Sequence, residues 1–331
     1  MSADMSEESP NDLIKPPELE PAELELAGRF GAEPDFAPVI APPPQAAFQP
    51  DMFGIPAPVP EVRPRRIPHL GHVLLFFVMA LVLLGIGQLL AVLLLQLTHI
   101  FPHRSFDSLF IFSSTDARAS IPIQAMCYGL ITLVCIPVFS VLWHEPFAEG
   151  VHWDNGKARS RFFWLVILGL GAGFSIAYLG SFLPMPKNPP IMQDMMKSSI
   201  GAWMMLVFGL TVAPLFEELA FRGFLLPGLL NFFRWVADRG AISQNASLWI
   251  GVPVSILLTS LGFAFMHSPQ VSHAWGPLVL IGSISVVLCI VRLAMNSVAA
   301  AVVVHAAYNF TLFAGVLYQT GGFRHLEKLT S

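Results

Sequence analysis

Long stretches without charged residues constrain this chain more than any other feature. Residues 70–97 contain no Asp, Glu, Lys or Arg, and the same holds for 121–143, 162–183 and 248–266. Each stretch is close to or above the roughly 20 residues that an α-helix needs to cross about 30 Å of hydrocarbon. Charged residues make up 12% of the chain, against about 25% in soluble domains, and the mean hydropathy is +0.64. The chain is therefore predicted to be a polytopic helical membrane protein.

The number of spans follows from the same stretches. Residues 275–291 and 297–318 are interrupted mainly by polar uncharged side chains, and residues 203–235 form a further apolar segment that contains two glutamates. These make about seven spans, and the length of the last segment allows an eighth. The predicted fold class is an all-α, polytopic transmembrane bundle of about seven to eight helices.

The N-terminal residues, 1–68, differ from the rest of the chain. They are acidic and rich in Pro and Ala, with no sustained helical or strand period, which predicts a disordered tail. Basic residues near the spans predict the side of the membrane, because Lys and Arg are enriched in cytoplasmic loops. They place the tail in the cytoplasm, and the residues used are Arg63, Arg65, Arg66, Lys157, Arg159, Arg161, Arg222, Arg234, Arg239 and Arg292.

Two adjacent glutamates, Glu217 and Glu218, lie inside an apolar segment. An ionisable side chain at bilayer depth costs roughly 2.5–3.5 kcal/mol on insertion scales, so such residues tend to be functional and to have partners. On a helix Glu218 and Arg222 are i and i+4, an order that favours an ion pair. Glu217 points about 100° away from that pair, which makes it a plausible general base for a water molecule.

Two more polar groups follow in the apolar C-terminal half. His267 ends the segment Phe263-Ala264-Phe265-Met266-His267, and His305 shares a helical face with Asn309 at i, i+4. Counting helical rise along antiparallel neighbours predicts Glu217 and His267 at nearly the same depth. The same count leaves His305 about nine residues, roughly 13 Å, below His267. Tilt or a dipping loop at 268–276 would have to close that gap.

These motifs, in this order, resemble the type II CAAX-prenyl-protease family, also called the CPBP or ABI family of intramembrane proteases. The family pattern is E-E-x-x-x-R, then F-x-x-x-H, then H-x-x-x-N/D on successive membrane helices. The matching residues here are Glu217, Glu218, Arg222, Phe263, His267, His305 and Asn309. The resemblance covers roughly residues 145–315, with Arg292 and Ser297 also agreeing upstream of the last motif.

The resemblance implies a membrane endopeptidase in which Glu217 and His267 activate the attacking water. His305 and Asn309 would stabilise the oxyanion, and Glu218 with Arg222 would support the first glutamate. The family is often labelled a metalloprotease, and Glu217, His267 and His305 would then be the candidate ligands of a divalent metal such as zinc. No H-E-x-x-H motif is present, so a metal-free glutamate–histidine hydrolase is equally compatible.

The expected organisation has four parts: the tail 1–68, the first two transmembrane helices 69–144, a CPBP-like protease core 145–318, and a short C-terminal tail 319–331. The expected partners are the lipid bilayer and a membrane-associated or hydrophobic peptide or protein substrate, with no nucleic acid. The expected location is a bacterial cytoplasmic membrane. A non-enzymatic scaffold or bacteriocin-immunity-type factor with the same fold is the alternative, and a proton-coupled transporter would require flux that depends on the proton gradient.

Overall fold

The computed structural model describes residues 66–98, 105–186 and 197–329. The predicted tail, 1–68, lies outside these residues except for its last three positions, and so do Arg63 and Arg65. The chain enters the bundle at Pro68, whose carbonyl accepts a 2.8 Å hydrogen bond from the Asn231 side chain. Arg66 pairs with Asp238 on the same neighbouring helix. The start of the first span is thereby joined to the helix Leu226–Asp238.

Across the described residues the regular structure is entirely helical, which confirms the predicted fold class. The principal helices in chain order are α1 (Leu70–Leu97), α2 (Phe106–Thr115), α3 (Ala117–Trp143), α4 (Phe162–Gly180), α5 (Ser199–Leu210), α6 (Val212–Glu218), the π-helix π1 (Leu219–Leu225), α7 (Leu226–Asp238), α8 (Val252–Met266), α9 (Trp275–Met295) and α10 (Val298–Gln319). Shorter helical turns are Phe147–Gly150, Asn155–Ser160, Gln244–Ala246, Ser247–Gly251, Ser268–Val271 and Leu326–Leu329.

Seven helical segments of the described chain are long and apolar enough to cross a membrane. Their outward faces carry large apolar side chains, such as Leu81 at 73% and Trp249 at 81% exposure. A soluble protein rarely exposes contiguous apolar surface on this scale, whereas lipid tails solvate it without cost. These faces indicate a multi-pass membrane protein.

The longest span, Ser199–Asp238, has 40 residues and is not one uniform helix. The backbone leaves α geometry at Thr211, with φ −124° and ψ −79°, three residues before Pro214, which has no N–H to donate. A second departure follows directly after the two glutamates, where the helix changes from α to π geometry in π1. Single π turns inside α-helices occur frequently at functional sites. The two departures bracket the carboxylates predicted to carry the chemistry.

An aromatic cluster holds π1 against α1 and α3. Phe224 on π1 is fully buried and stacks on Phe76 of α1 at 4.3 Å between ring centroids. It also meets Phe139 of α3 edge-on at 4.7 Å. Such aromatic pairs contribute about 0.5–1.5 kcal/mol beyond their buried area. The π turn is therefore packed on one side by a rigid apolar surface.

The loop after α3 supports the start of α10, the helix that carries His305. The Val298 N–H donates to the His152 carbonyl at 3.0 Å, and the Ser297 hydroxyl donates to the Asp154 carbonyl at 2.9 Å. Burial, and then the charge of nearby Arg292, lower the pKa of His152 to about 4. The imidazole is neutral at pH 7, so it adds no cation to this end of the bundle.

Glycines allow α4 to pack closely on α10. A Cβ added at Gly169 would lie 2.5 Å from the Val304 carbonyl oxygen, and Gly173 faces Thr311 just as closely. The G-x-x-x-G spacing of these two residues therefore serves packing within the chain, as small residues do between membrane helices. Gly171, on another face of the same helix, meets nothing within 4 Å.

Gly169→Ala is expected to destabilise the bundle, because the new Cβ collides with backbone that cannot rotate away. Overpacking of this kind typically costs about 1–3 kcal/mol. The matched control is Gly171→Ala, which adds the same methyl group to the same helix in open space and should be neutral or slightly stabilising. Thermal unfolding in detergent measures both, and equal melting temperatures for the two variants would contradict this packing.

Candidate active site

The two glutamates occupy the last two positions of α6 but face different surroundings. The Glu218 side chain is fully buried, and the Glu217 side chain retains 13% exposure. Successive helical residues point about 100° apart, so adjacent carboxylates enter separate environments. Glu218 faces the interior of the bundle, and Glu217 keeps part of its side-chain surface accessible.

Glu218 joins two other elements through a single oxygen. Its Oε1 accepts hydrogen bonds from Arg222 Nη1 at 3.0 Å and from His305 Nδ1 at 2.8 Å. The predicted i, i+4 pair between Glu218 and Arg222 is thus present inside the bundle. Because the carboxylate only accepts hydrogen bonds, the His305 proton lies on Nδ1.

The Arg222 guanidinium is fully enclosed and reaches across to α9. Its Nη2 donates to the carbonyl and the hydroxyl of Ser285, at 2.9 and 2.7 Å. Arg292 on α9 is also buried, at 4% exposure. These two arginines were used above as cytoplasmic-side charges, and the structure shows that both are buried within the bundle. Their hydrogen-bond acceptors there are the Glu218 carboxylate, two backbone carbonyls and side-chain oxygens of Ser285 and Asn296.

The two histidines converge on the other glutamate. His267 Nε2 and His305 Nε2 each lie 3.8 Å from Glu217 Oε2. The predicted gap of about nine residues between the histidines is therefore absent at the level of the side chains. His267 is the C-cap of α8, and α9 starts only at Trp275. The loop between them supplies the chain length that a dipping segment needs.

Both imidazoles present the same nitrogen to Glu217. His267 Nδ1 lies 2.8 Å from the Phe263 carbonyl oxygen, which can only accept, so the proton of the neutral ring is on Nδ1. In His305 the Glu218 carboxylate has the same effect. Two Nε2 lone pairs and one carboxylate oxygen thus face a shared space. Electron-pair donors placed this close favour a species that binds to them, such as a water molecule, a shared proton or a metal ion.

Phe263 explains the aromatic position of the second motif. Its ring centroid lies 4.6 Å from that of His267 and 5.8 Å from that of His305. The Arg222 guanidinium carbon lies 4.8 Å from the same ring, a cation–π distance. This phenylalanine fills the space between the two imidazoles and the arginine and limits their rotation.

Asn309 is placed by a contact that the sequence did not predict. Its side-chain nitrogen donates to the Gly209 carbonyl at 2.8 Å, in the last turn of α5, where carbonyls lack helical donors. An amide nitrogen carries two N–H groups, so the second remains for another acceptor. Asn309 therefore ties α10 to the helix break that precedes the glutamates.

Tyr128 and Gln124, on α3, are neighbours of the site that sequence reasoning missed. The Tyr128 ring stacks on Phe216, the residue before Glu217, at 3.9 Å, and its hydroxyl oxygen accepts from Gln124 at 2.9 Å. A glutamine one helical turn from a tyrosine within an apolar span was the available signal.

The side chains of Glu217, His267 and His305 have the ligand types of a zinc site, but their atoms are spaced too widely for one. Two imidazole nitrogens and a carboxylate are zinc-type ligands, and each ring's second nitrogen is bound to a carboxylate or carbonyl, as in many metal sites. Bond lengths of about 2.0–2.1 Å imply ligand separations of about 3.4 Å, shorter than the 3.8 Å observed. Accordingly, no group of three such side chains is spaced for a metal ion in the described parts of the chain. Side-chain shifts of about 0.4 Å would bring the ligands to zinc-binding separations.

Comparison with known protein families agrees with the geometry. The profile of the family described as type II CAAX prenyl endopeptidase, Rce1-like, matches residues 199–311, about a third of the chain. The predicted family resemblance is confirmed over this segment. The match contains every residue of the cluster around Glu217 and supports a membrane protease in general terms. No curated protein and no solved structure matches the chain.

The Glu218–Arg222 pair generates a stability prediction. Glu218→Gln or Arg222→Met alone should destabilise strongly, by about 3–5 kcal/mol, because each leaves one uncompensated buried charge. The double variant should be less destabilised than the sum of the two, since neither charge remains. Thermal unfolding of all three in detergent measures the coupling, and strictly additive losses would contradict an ion pair.

Proposed function

We propose that this protein is an intramembrane endopeptidase that cleaves a membrane-associated or hydrophobic peptide by glutamate- and histidine-assisted attack of water. One observation carries the proposal: one oxygen of the partly accessible Glu217 side chain lies 3.8 Å from two imidazole nitrogens on different helices. The match to an Rce1-like endopeptidase family over the same residues supports it.

In the proposed mechanism, water occupies the space between Glu217 and the two rings and donates its hydrogens to Glu217 Oε2 and His267 Nε2. Glu217 takes one proton as the water oxygen attacks the scissile carbonyl carbon. A positioned base of this kind typically contributes about 10²–10⁴-fold in rate. When the C–N bond breaks, the same proton passes from Glu217 to the departing amine. The products are a carboxylic acid and an amine, and the enzyme is unchanged.

The oxyanion that forms on the carbonyl needs donors. The proposed donors are the second N–H of Asn309 and Nε2 of His305, whose ring takes up a proton from solvent before the attack and keeps it through the cycle. The Glu218 carboxylate on Nδ1 stabilises the positive ring that results, much as a buried carboxylate does in hydrolase triads. Removing one such donor costs about 2.7–4 kcal/mol in known enzymes.

The proposed setting is a bacterial cytoplasmic membrane with the N-terminus in the cytoplasm. Arg234 and Arg239 near the end of α7, with Lys157, Arg159 and Arg161 before α4, support that orientation by the enrichment of basic residues on the cytoplasmic side. Seven spans would then place the C-terminus on the opposite side. The apolar surroundings of the site suit a peptide that is itself held in or on the bilayer.

Glu217→Gln and His267→Ala are expected to lower cleavage by at least about 100-fold, because each removes a group that handles the proton of the attacking water. The assay uses purified protein in liposomes with a hydrophobic peptide library, and new N-termini are detected by mass spectrometry. The control is Glu149→Gln, a loop carboxylate outside the spans, which should cleave normally. Wild-type turnover in both site variants would refute the proposal, and an unchanged partner-binding phenotype would then favour the scaffold function.

A zinc-dependent version of the same reaction is the second candidate, favoured by the donor set described above. Glu217, His267 and His305 would hold the ion, and the ion would supply an acidified water. Metal analysis of the purified wild-type protein and of the His305→Ala variant separates the two versions, together with activity before and after chelation. Stoichiometric zinc that the variant loses would support the metal version, whereas full activity with no bound metal would eliminate it.

A further inference from the structure

The π turn after the glutamates leaves one backbone carbonyl without a donor in its own helix. The Leu226 N–H donates to the Phe221 carbonyl, a bond from i+5 to i. The same pattern would pair the Arg222 carbonyl with residue 227, which is Pro227 and has no N–H. The usual α-helical donor, the Leu226 N–H, is already used. A buried carbonyl without a partner is unfavourable, so the turn needs a donor from outside.

Arg292 supplies that donor. Its Nε lies 3.1 Å from the Arg222 carbonyl oxygen, and its Nη1 donates to the Asn296 side chain at 3.0 Å. The Arg292 residue is only 4% exposed, and the described contacts of its guanidinium are to neutral oxygen atoms. A buried cation is costly when it lacks an ionic partner, so its role at this position calls for a reason beyond charge balance.

We propose that Arg292 is a positioning residue for the active site, which holds the π turn in the register that presents Glu217 and Glu218 to the two histidines. This inference rests on the proposed hydrolytic function of the site. It also gives a physical role to an arginine that the sequence analysis used only as a flank of the third motif and as a cytoplasmic-side charge.

The effect of Arg292 reaches the reacting groups through a short series of contacts. Its Nε fixes the backbone of Arg222, whose side chain donates to Glu218 at 3.0 Å. Glu218 in turn accepts from His305 at 2.8 Å. If the turn relaxed to regular α geometry, the glutamates would rotate relative to the arginine. Because adjacent residues differ by about 100°, even part of one step would move Glu217 away from the imidazoles.

Two substitutions that both end at the position of Nε isolate its hydrogen bond. In Arg292→Gln the side-chain nitrogen occupies the position of Nε, so the donor is kept and the charge is removed. In Arg292→Met a methyl group occupies that position, and both are lost. Turnover is measured in liposomes with the peptide that the wild-type protein cleaves fastest. Arg292→Met is expected to lower kcat by about ten-fold, equivalent to about 1.4 kcal/mol, with KM within about two-fold, while Arg292→Gln stays near wild type.

A rescue experiment tests the same hydrogen bond from the other side. Pro227→Ala restores an N–H that can serve the Arg222 carbonyl, so Arg292→Met with Pro227→Ala should recover most of the lost kcat. Arg234→Met is the control, since it removes the same charge from an exposed position on α7 and should leave kcat unchanged. If Arg292→Met alone does not fold, recovery of the folded protein by Pro227→Ala supports the proposal in the same way.

Three outcomes would overturn this role. They are wild-type kcat in Arg292→Met, equal losses in the Gln and Met variants, and no rescue by Pro227→Ala. Glu217→Gln is measured in parallel in the same assay. An inactive Glu217→Gln protein beside an unaffected Arg292→Met protein refutes only the positioning role, whereas an active Glu217→Gln protein refutes the hydrolytic function on which it rests.

Discussion

A carboxylate that is shielded completely from solvent organises the centre of this protein. The Glu218 side chain has no exposed surface, and a buried charge is tolerated only when it is paired and hydrogen-bonded. Arg222 provides the opposite charge one turn along the same helix, and His305 provides a second donor from α10. Arg222 in turn needs acceptors, which Ser285 supplies from α9. Three helices are thereby held in a fixed relation by one side chain and its partner.

This arrangement leaves the neighbouring carboxylate available for chemistry. Glu218 is engaged by its buried partners, so Glu217 is the acid that lies beside both imidazoles and keeps some exposed surface. The partners of the rings, a carboxylate for His305 and a backbone carbonyl for His267, set which nitrogen each ring presents. Pre-arranged groups of this kind lower a reaction barrier because they do not have to reorganise during the reaction. The two adjacent glutamates therefore differ in their surroundings: Glu218 is held by buried partners, and Glu217 lies beside the two imidazoles.

Much of this arrangement could be predicted from the sequence. Uncharged stretches of about 20 residues identify membrane helices whatever their exact sequence. The i, i+4 spacing of Glu218 and Arg222 predicts their ion pair directly. Helical rise also placed Glu217 level with His267. The depth that the same method predicted for His305 was wrong, because a count of ideal helical hairpins ignores helix tilt and loops that dip into the bundle.

Other features escaped prediction for physical reasons that are specific to each residue. The π turn has no strong sequence pattern. The Arg222 carbonyl lacks a helical donor only because the turn would pair it with position 227, which is a proline. Arg292 was used as a marker of the cytoplasmic side because basic residues are enriched there, and that rule gives no sign that the side chain is buried. Tyr128 lies outside the segment that matches the family, so only packing against Phe216 brings it to the site.

The claim on which this account depends is that two imidazoles turn their Nε2 atoms towards Glu217. Nitrogen-15 NMR of histidine-labelled protein in liposomes tests it most directly, with signals assigned by His267→Ala and His305→Ala. The account predicts a protonated Nδ1 in both rings and Nε2 resonances that shift in Glu217→Gln. A neutral ring protonated on Nε2 with a bare Nδ1, or Nε2 signals that do not respond to Glu217→Gln, would contradict it.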